Sequence, residues 1–364
     1  MTIAEPRAGS SSAAANGCAT GAGACIVYVA NADSGSISVL RADTEGGTLT
    51  AVQTLAVGNV VMPLAVSPDR RFLYASLRAE PFTAVSLAIT PRDGTLAVIG
   101  SARLPASMAF IATDCSGRFL LSASYGGDLI AVSPIDADGV VQAAQQVLPT
   151  PPKAHAIRAD ASNRFVFATS LGGGVVMQWR FDAGTGVLTR SAPALVHARD
   201  GAGPRHFVFG TQTGPRFVYL LNELDATVDV FAFDAERGTL AHAQTIATLP
   251  PSFSGEPWAA DIHLTPDGRF LYTSERRSST LAAFRVAAGT DTDSGRLSLI
   301  GHVPTEAQPR GFAVSPDGRW LYAVGQLSNR LSRYAIDSNS GALCWVDACA
   351  VGHNPNWVEA ITLP

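Results

Sequence analysis

Six side chains that lie far apart in the sequence have the types needed for acid–base chemistry on a small anion: Arg78, His155, Arg205, Glu223, Arg276 and Arg310. A carboxylate and an imidazole can take up and release a proton near neutral pH. Guanidinium groups bind carboxylates and phosphates in pairs of hydrogen bonds, and they stabilise negative charge as it develops on an oxygen atom. These residues can act together only if the fold brings them to one place.

A short motif recurs along the chain and divides it into similar units. Its clearest copies are residues 264–274, 314–323 and 66–76, each an apolar lead-in, a Pro-Asp turn and an alternating strand-like run. Weaker copies occupy residues 114–119, 160–165 and 213–217. The turn arginines are Arg71, Arg118, Arg164, Arg216, Arg269 and Arg319, at intervals of 46 to 53 residues. A period in this range is typical of propeller blades, and the recurrence of the arginines assigns them to the scaffold.

Each unit contains four short apolar runs separated by turn residues. In the unit that begins at Pro204 the runs cover residues 205–209, 217–220, 227–233 and 239–246. They are enriched in β-branched and aromatic residues and bounded by Gly, Pro, Asp or Asn, which indicates strands. No segment shows a convincing helical stripe of apolar residues. The sequence therefore predicts an all-β propeller with four strands in each blade.

The two ends of the chain predict how the ring closes. Residues 25–31 match the second strand of the later units and have no first strand before them, whereas residues 354–361 match a first strand and nothing follows. Pairing of the N- and C-terminal strands in one blade would remove the free sheet edges. We expect residues 25–364 to form a seven-bladed propeller, and residues 1–24, which are rich in Ala, Gly and Ser, to form a disordered tail.

The composition argues against several classes of partner and location. A net charge of -4 gives no general attraction to nucleic acid, and no apolar run reaches the ~18–20 residues that a membrane helix needs. The tail lacks the apolar core of a secretory signal, and the five cysteines form no CxxC pair, so we expect a cytoplasmic protein with reduced thiols. The chain has no P-loop or HExxH motif, so we expect no cofactor or metal ion. A closed propeller also predicts a monomer or weak oligomer.

Propeller geometry predicts which residues meet at one mouth of the central channel. The residue that opens the innermost strand and the residue in the turn after the second strand lie on the same face, because these strands are antiparallel. At the first position the seven units carry Met62, Ser107, His155, Arg205, Ala260, Arg310 and Asn356. At the second they carry Ala32, Arg78, Tyr125, Leu171, Glu223, Arg276 and Gln326. The predicted ring is cationic with one acid and one imidazole, which suits a small anionic substrate.

The acidic and imidazole side chains in or near this ring each have a simpler explanation. Glu223 in a hairpin turn could be a solvated surface acid, and His155 could be a hydrogen-bonded channel residue. His206 and His263 lie further along their strands, where buried structural partners are expected. Asp261 could do no more than pair with an arginine. The hypothesis of a site depends on their convergence on one face.

Several segments resemble the propeller-type 6-phosphogluconolactonases of bacteria: residues 201–206 (GAGPRH), 222–224 (NEL) with 228–230 (VDV), 258–263 (WAADIH), 305–312 (TEAQPRGF) and 325–326 (GQ). The family fold is a seven-bladed propeller. It is related to the eukaryotic carboxymuconate cycloisomerases, which use a His, a Glu and arginines at the channel mouth; His155, Arg205, Glu223 and Arg276 are similar in position. One departure is Leu171 and the glycines 172–174, where a bacterial phosphogluconolactonase is expected to carry a basic residue.

The resemblance implies hydrolysis of a sugar-acid lactone, with 6-phospho-D-glucono-1,5-lactone of the oxidative pentose phosphate pathway as the first choice. We expect Glu223 as the base and His155 as the acid, or the reverse, with Arg205 and Arg276 stabilising the oxyanion. For binding of the substrate we expect the residues Arg310, Arg78, Gln326, His206 and Asp261. Two alternatives stay open: a lactonase or cycloisomerase acting on a carboxymuconolactone, and a non-catalytic propeller that serves as an interaction platform.

Overall fold

The computed structural model describes residues 25–43, 46–210, 216–289 and 293–364, and within these ranges every regular element is a β-strand. The strands form seven antiparallel sheets of four strands each, as the sequence predicts. The predicted tail, residues 1–24, and residues 213–215 of one weak motif copy lie outside the described residues. No helix that could cross a membrane occurs in the described part of the chain.

The first blade combines both ends of the chain. It contains β1 (Cys25–Asn31), β2 (Ser36–Ala42) and β3 (Leu49–Ala56), with β28 (Pro355–Thr362) as its innermost strand. The pairing of β28 with β1 is antiparallel and runs from Cys25 opposite Thr362 to Asn31 opposite Pro355. The predicted closure of the ring by the N- and C-terminal strands is confirmed.

The other six blades each use four consecutive strands, which follow one another from the channel outward in chain order. Their bounds are β4 (Val61–Val66), β5 (Phe72–Leu77), β6 (Thr83–Ile89), β7 (Leu96–Arg103); β8 (Phe110–Thr113), β9 (Phe119–Ser124), β10 (Leu129–Pro134), β11 (Gln146–Pro149); β12 (Ala154–Ala159), β13 (Phe165–Ser170), β14 (Val175–Asp182), β15 (Val187–His197); β16 (Pro204–Phe209), β17 (Arg216–Asn222), β18 (Thr227–Asp234), β19 (Thr239–Ala247); β20 (Ala259–Leu264), β21 (Phe270–Glu275), β22 (Thr280–Val286), β23 (Leu297–Pro304); and β24 (Pro309–Val314), β25 (Trp320–Gly325), β26 (Arg330–Ile336), β27 (Leu343–Ala350).

The innermost strands surround the central channel. Each of β4, β8, β12, β16, β20, β24 and β28 contacts the innermost strand of the blade on either side, and β28 contacts β4 to complete the circle. Burial falls from the second strand outward: β21 is buried along its whole length, whereas most residues of β23 are exposed or half-buried. The apolar core therefore lies between the faces of adjacent blades.

The recurring motif builds both the turn and the contact with the next blade. In the copy at residues 264–274, the Asp267 carboxylate accepts hydrogen bonds from the Thr265 hydroxyl (2.6 Å) and the Arg269 amide (3.0 Å). The Arg269 guanidinium lies over the Phe270 ring and donates to the Ser338 carbonyl of the next blade. The Tyr272 hydroxyl donates to the Gly341 carbonyl of the same neighbour at 2.9 Å. This turn arginine is a scaffold residue, as predicted.

Candidate active site

One mouth of the channel contains a cavity of about 230 Å³. Its lining residues are Arg78, Ala109, Tyr125, His155, Glu223, Trp258, Arg276 and Arg310. His155 and Arg310 are the second residues of β12 and β24, whereas Arg78, Glu223 and Arg276 each follow the last residue of the second strand in a blade. The structure thus brings together five of the predicted site residues from five different blades.

The innermost strands begin with an irregularity that decides which residues face the channel. In β12, β16 and β20 the register shifts near the first residue, so that two consecutive residues lie opposite one residue of the partner strand. Such β-bulges re-aim side chains. In β16 the two residues are Arg205, which bonds to Glu223 at the mouth, and His206, which bonds to Asp261 below it.

Glu223 is fixed by two buried arginines through the same carboxylate oxygen. Its Oε2 accepts from Arg205 Nε at 2.8 Å and from Arg276 Nη2 at 2.9 Å. Only 1% of the Arg205 side chain and 3% of the Arg276 side chain are exposed. Oε1 of Glu223 has no hydrogen-bond partner among residues 25–43, 46–210, 216–289 and 293–364, and Glu223 lines the cavity. This oxygen is therefore available to a ligand.

Trp258 holds Arg276 from the other side. The Arg276 guanidinium lies 3.8 Å from the centroid of the Trp258 ring and donates to the carbonyl oxygens of Trp258 and Ala259, each at 3.1 Å. A guanidinium stacked on indole and bonded to backbone and carboxylate oxygens has little freedom to move. The charge of Arg276 is thus presented to the cavity in a fixed position.

The two remaining arginines of the cavity have no carboxylate partner among the residues that the structure describes. Arg78 donates to the Ser107 hydroxyl at 2.9 Å and approaches the Met62 sulfur at 3.8 Å. Arg310 makes no hydrogen bond or ion pair with any residue that the structure describes. Both line the cavity, so their donors can bind an anion that enters it.

The positive charges determine the protonation of the two acid–base residues. Burial, followed by the charges of Arg205, His206 and Arg310, holds the pKa of His155 well below its usual value, so the imidazole is neutral at pH 7. Burial alone would raise the pKa of Glu223, but the charges of Arg205 and Arg276 outweigh it and the pKa is lowered. Glu223 is therefore ionised at pH 7.

The arginines also repel one another. Burial and then the charge of Arg205 lower the pKa of Arg276 to about 9, and burial together with Arg205 and Arg276 lowers the pKa of Arg310 well below its usual value. Because a guanidinium keeps its proton in proteins, this repulsion persists at pH 7 and an anionic ligand relieves it.

His155 faces the cavity with one nitrogen and the protein interior with the other. Its Nδ1 is buried and has no hydrogen-bond partner among the described residues, and its ring packs edge-on against Tyr125 and His206. Tyr125 in turn lies 5.6 Å from the Lys153 ammonium, an exposed cation at the rim. A positive charge is thus present near the turn of Leu171, where the sequence lacks a basic residue.

The other four predicted site residues lie outside the cavity lining. Arg205 lies beneath it, in contact with Glu223. Gln326 lies at the rim, where it accepts from Gln308 and donates to Asn354. His206 and Asp261 bond to each other deeper in the channel, and Asp261 lines a second cavity of about 280 Å³ on the far side, together with Arg158, His263 and Glu359.

One register assignment in the predicted ring is wrong. In β8, Ile111 pairs with Ser122 and the Ala109 amide donates to the Ala123 carbonyl, so Ala109 occupies the strand-opening position that the sequence assigned to Ser107. Ser107 instead binds Arg78. Trp258 was missed because it lies just before β20; the aromatic residue at the head of the segment WAADIH was the only available signal.

Within the described ranges, no group of three His, Cys, Asp or Glu side chains has an arrangement suitable for holding a metal ion. The ionisable side chains most useful for acid–base chemistry and anion binding in the cavity wall are one imidazole, one carboxylate and three guanidinium groups, beside the Tyr125 phenol.

Comparison with known proteins identifies the family. Residues 24–360 match the family model of the seven-bladed β-propeller lactonases. The chain is 41% identical over 338 residues to the 6-phosphogluconolactonase of Pectobacterium carotovorum subsp. carotovorum (strain PC1), covering 93% of this chain and 99% of that protein. It is 40% identical over 336 residues to the 6-phosphogluconolactonase of Serratia proteamaculans (strain 568), covering 92% and 98%. The chain therefore belongs to the seven-bladed β-propeller lactonase family.

Solved structures agree with this assignment. The periplasmic gluconolactonase PpgL of Pseudomonas aeruginosa superposes with a TM-score of 0.85 and 28% identity, covering 94% of this chain and 100% of that one. A protein from Lactobacillus plantarum superposes with a TM-score of 0.83 and 25% identity, covering 93% and 99%.

Proposed function

We propose that this protein hydrolyses the lactone of a phosphorylated sugar acid, 6-phospho-D-glucono-1,5-lactone, to 6-phosphogluconate. The observation that carries the proposal is the cavity: Arg78 and Arg310 line it with no carboxylate partner in the described ranges, and His155 and Glu223 line it beside them. A phosphate would satisfy the arginines through bidentate hydrogen bonds, and the lactone carbonyl would then lie near the acid–base residues. The names of the relatives in Pectobacterium and Serratia point to the same substrate.

His155 is the better proton acceptor of the two candidates. Transfer of a proton to Glu223 would leave two buried guanidinium groups without a counter-charge, because both bind its Oε2. The His155 imidazole is neutral and forms no hydrogen bond with any described residue, so it can accept a proton without breaking an existing bond. The sequence suggested that Glu223 and His155 share the roles of base and acid; in this proposal His155 serves as both, and Glu223 does not transfer a proton.

The reaction then proceeds in two steps. A water molecule attacks the lactone carbonyl carbon while His155 takes its proton, and the carbonyl electron pair moves onto oxygen, where Arg276 stabilises it. The intermediate collapses by breaking the bond to the ring oxygen, which takes the proton back from His155. The open-chain acid loses its own proton to solvent. Glu223 keeps Arg205 and Arg276 in position throughout.

The proposal is tested by a stopped assay on freshly made 6-phosphogluconolactone, corrected for spontaneous opening. Glucono-1,5-lactone and a carboxymuconolactone are measured in parallel. We expect kcat/KM to be highest for the phosphorylated lactone. A preference for the carboxymuconolactone, or no rate above the spontaneous one with any of the three, would refute the proposal.

Unphosphorylated gluconolactone is a second candidate substrate. It is favoured by the superposition on PpgL, a periplasmic gluconolactonase, and by Leu171 in the turn where a basic residue was expected. Lys153 at the rim argues for the phosphorylated substrate, since it supplies a cation beside Tyr125. A phosphorylated substrate also fits the cytoplasmic location expected from the sequence, which cell fractionation would test. The expected monomeric or weakly oligomeric state is measurable by light scattering.

A further inference from the structure

We propose that His206, oriented by Asp261, determines which nitrogen of His155 carries the proton, and so leaves Nε2 of His155 free to accept a proton in the cavity. The inference rests on the proposed function for its catalytic meaning. His206 and Asp261 are then positioning residues, since they lie outside the cavity lining. Neither would contact the substrate, in contrast to the binding role expected from the sequence.

The His206 ring is enclosed on several sides by other rings. Its centroid lies 5.1 Å from those of His155 and Phe110 and 5.6 Å from that of Trp357, with edge-on geometry in each case. The residue is 4% exposed. Packing of this density leaves little room for rotation of the His206 ring. The choice of which His206 nitrogen carries the proton therefore decides whether the ring offers a donor or an acceptor to His155.

Asp261 fixes the protonation of His206. Its Oδ1 lies 2.8 Å from His206 Nδ1 and accepts from the Ile262 amide at 3.0 Å, and its Oδ2 lies 3.2 Å from His263 Nε2 and accepts from the Phe312 amide at 3.4 Å. Burial would raise the pKa of Asp261, but these partners, His263 first, hold it far below its usual value. An ionised carboxylate only accepts hydrogen bonds. Nδ1 of His206 must therefore carry the proton.

His206 consequently presents a bare Nε2. Burial and then the charge of Arg205 lower the pKa of His206 to about 3, so only one of its nitrogens is protonated at pH 7. Nε2 is buried and has no hydrogen-bond partner in the described part of the chain. Nδ1 of His155, in the adjoining ring, is in the same condition. Two unsatisfied buried nitrogens in adjacent rings are costly unless one donates to the other, directly or through a water molecule.

Only one tautomer of His155 allows a hydrogen bond between these two nitrogens, directly or through a water molecule. With the proton on Nδ1, His155 can donate toward the bare Nε2 of His206; with the proton on Nε2, two lone pairs would share the same buried space. The first tautomer leaves Nε2 of His155 unprotonated on the side of the cavity, which is the form that takes a proton from water. A carboxylate that sets the tautomer of a catalytic imidazole is an established device in hydrolases; here a second histidine would stand between them.

The arginines around the pair all lower the pKa values of the two imidazoles, and Asp261 opposes them at His206. Arg205, Arg276 and Arg310 face His155, and Arg205 and Arg158 face His206. Burial and these arginines outweigh Asp261, which raises the pKa of His206, so in the protein without substrate each imidazole is neutral at pH 7 and its tautomer is the remaining variable.

The experiment uses the full-length protein with ¹⁵N-labelled histidine, because imidazole nitrogen shifts report the tautomer directly. We expect Nδ1 of His155 to be protonated in the wild type, and the proton to move wholly or partly to Nε2 in His206→Leu. We expect kcat for the lactone to fall about 100-fold with KM within about threefold of the wild-type value, in the range typical of acid–base groups. His206→Gln, whose amide oxygen can accept in place of Nε2, should recover at least tenfold of this loss.

His302→Leu is the matched control, because this half-buried histidine bonds the Thr248 carbonyl at 3.0 Å on an outer strand. It should leave kcat and the His155 tautomer unchanged. If His206→Leu does not fold, Asp261→Asn tests the same step, and it should also change the tautomer of His206.

A proton on Nε2 of His155 in the wild type would overturn the inference, as would an unchanged tautomer in the folded variants. The tautomer is measured without substrate, so it stays informative if the protein opens none of the lactones. Failure of the proposed function is thus distinguishable from failure of the positioning role.

Discussion

The replacement Glu223→Gln separates the charge of this residue from its shape. The carboxylate is the counter-charge of Arg205 and Arg276, at 2.8 and 2.9 Å, and all three side chains are largely or wholly buried. The amide keeps one acceptor oxygen but removes the negative charge. Breaking a buried ion pair by removing one partner typically costs 3–5 kcal/mol. We therefore expect the free energy of unfolding to fall by about that amount.

The same change should have opposite effects on binding and catalysis. At an effective dielectric constant of about 20, removal of a negative charge about 8 Å from an anion favours its binding by about 2 kcal/mol, or roughly 30-fold. The loss also disfavours a proton on His155 and loosens Arg276, so kcat should fall by about 100-fold. A decrease in kcat with no increase in KM is the expected pattern.

Glu306→Gln is the matched control for this experiment. Its side chain has the same exposed fraction as that of Glu223, 11%, but its partners are the Ser332 hydroxyl and the partly exposed Arg330. We expect it to change the free energy of unfolding by less than about 1 kcal/mol and to leave both kinetic constants intact. Unfolding is followed in denaturant and the rates on fresh 6-phosphogluconolactone below the transition. Full retention of kcat in Glu223→Gln would remove this residue from the mechanism, and an increase in KM would contradict the electrostatic account.

Three further predictions concern the substrate anion, the pH dependence and the closure of the ring. Arg310→Met should raise KM for the phosphorylated lactone by about 10- to 100-fold and change KM for glucono-1,5-lactone much less, because Arg310 has no other partner in the described residues. Equal effects on both lactones would contradict a phosphate contact. The active forms of His155 and Glu223 are unprotonated, and both pKa values are lowered. We therefore expect kcat/KM to stay level as the pH falls through 6.5 and to decrease only well below it. Loss of half of kcat/KM near pH 6.5 would contradict the neutral state of His155. Deletion of residues 355–364 removes β28 and exposes the edge of β1, so soluble, folded protein should be lost; a folded deletion variant by circular dichroism would contradict its role in closure.

The fold was predictable because the same structural unit recurs along the sequence. In the three clearest copies a Ser or Thr hydroxyl donates to the turn aspartate, at Asp69, Asp267 and Asp317. In three blades a tyrosine of the second strand also donates to a glycine carbonyl of the next blade. The unmatched first and last strands then fixed the number of blades and the pairing of β28 with β1. The units can be aligned with one another, so a strand that is unclear in one unit can be assigned from the others.

The sequence predicted which face of the propeller carries the site, but not the position of every side chain in it. Counting along antiparallel strands placed His155, Glu223, Arg276, Arg310 and Arg78 at one mouth. The bulge at the start of the innermost strands was not visible, since strict alternation would not direct both residues of a consecutive pair into the channel. Because of these bulges His206 and Asp261 lie below the mouth and bond to each other, although the sequence analysis had placed both among the substrate-binding residues. In β8, which has no bulge, the strand-opening position was assigned two residues before Ala109.

The sequence also could not predict which arginines form ion pairs with Glu223. Arg205, Arg276 and Arg310 look equivalent in the predicted ring, but two of them neutralise Glu223 and one has no partner in the described chain. The difference depends on side-chain directions that only the assembled blades define. It separates the arginines that organise the site from the arginine that is available to a substrate.

The crystal structure of the protein with bound 6-phosphogluconate tests the central claim most directly. The account predicts the phosphate within hydrogen-bonding distance of Arg310 and Arg78, and the carboxylate, which derives from the lactone carbonyl, between Arg276 and Nε2 of His155. A product molecule bound outside this mouth, or bound in it with the phosphate against Glu223 and away from Arg310, would contradict it.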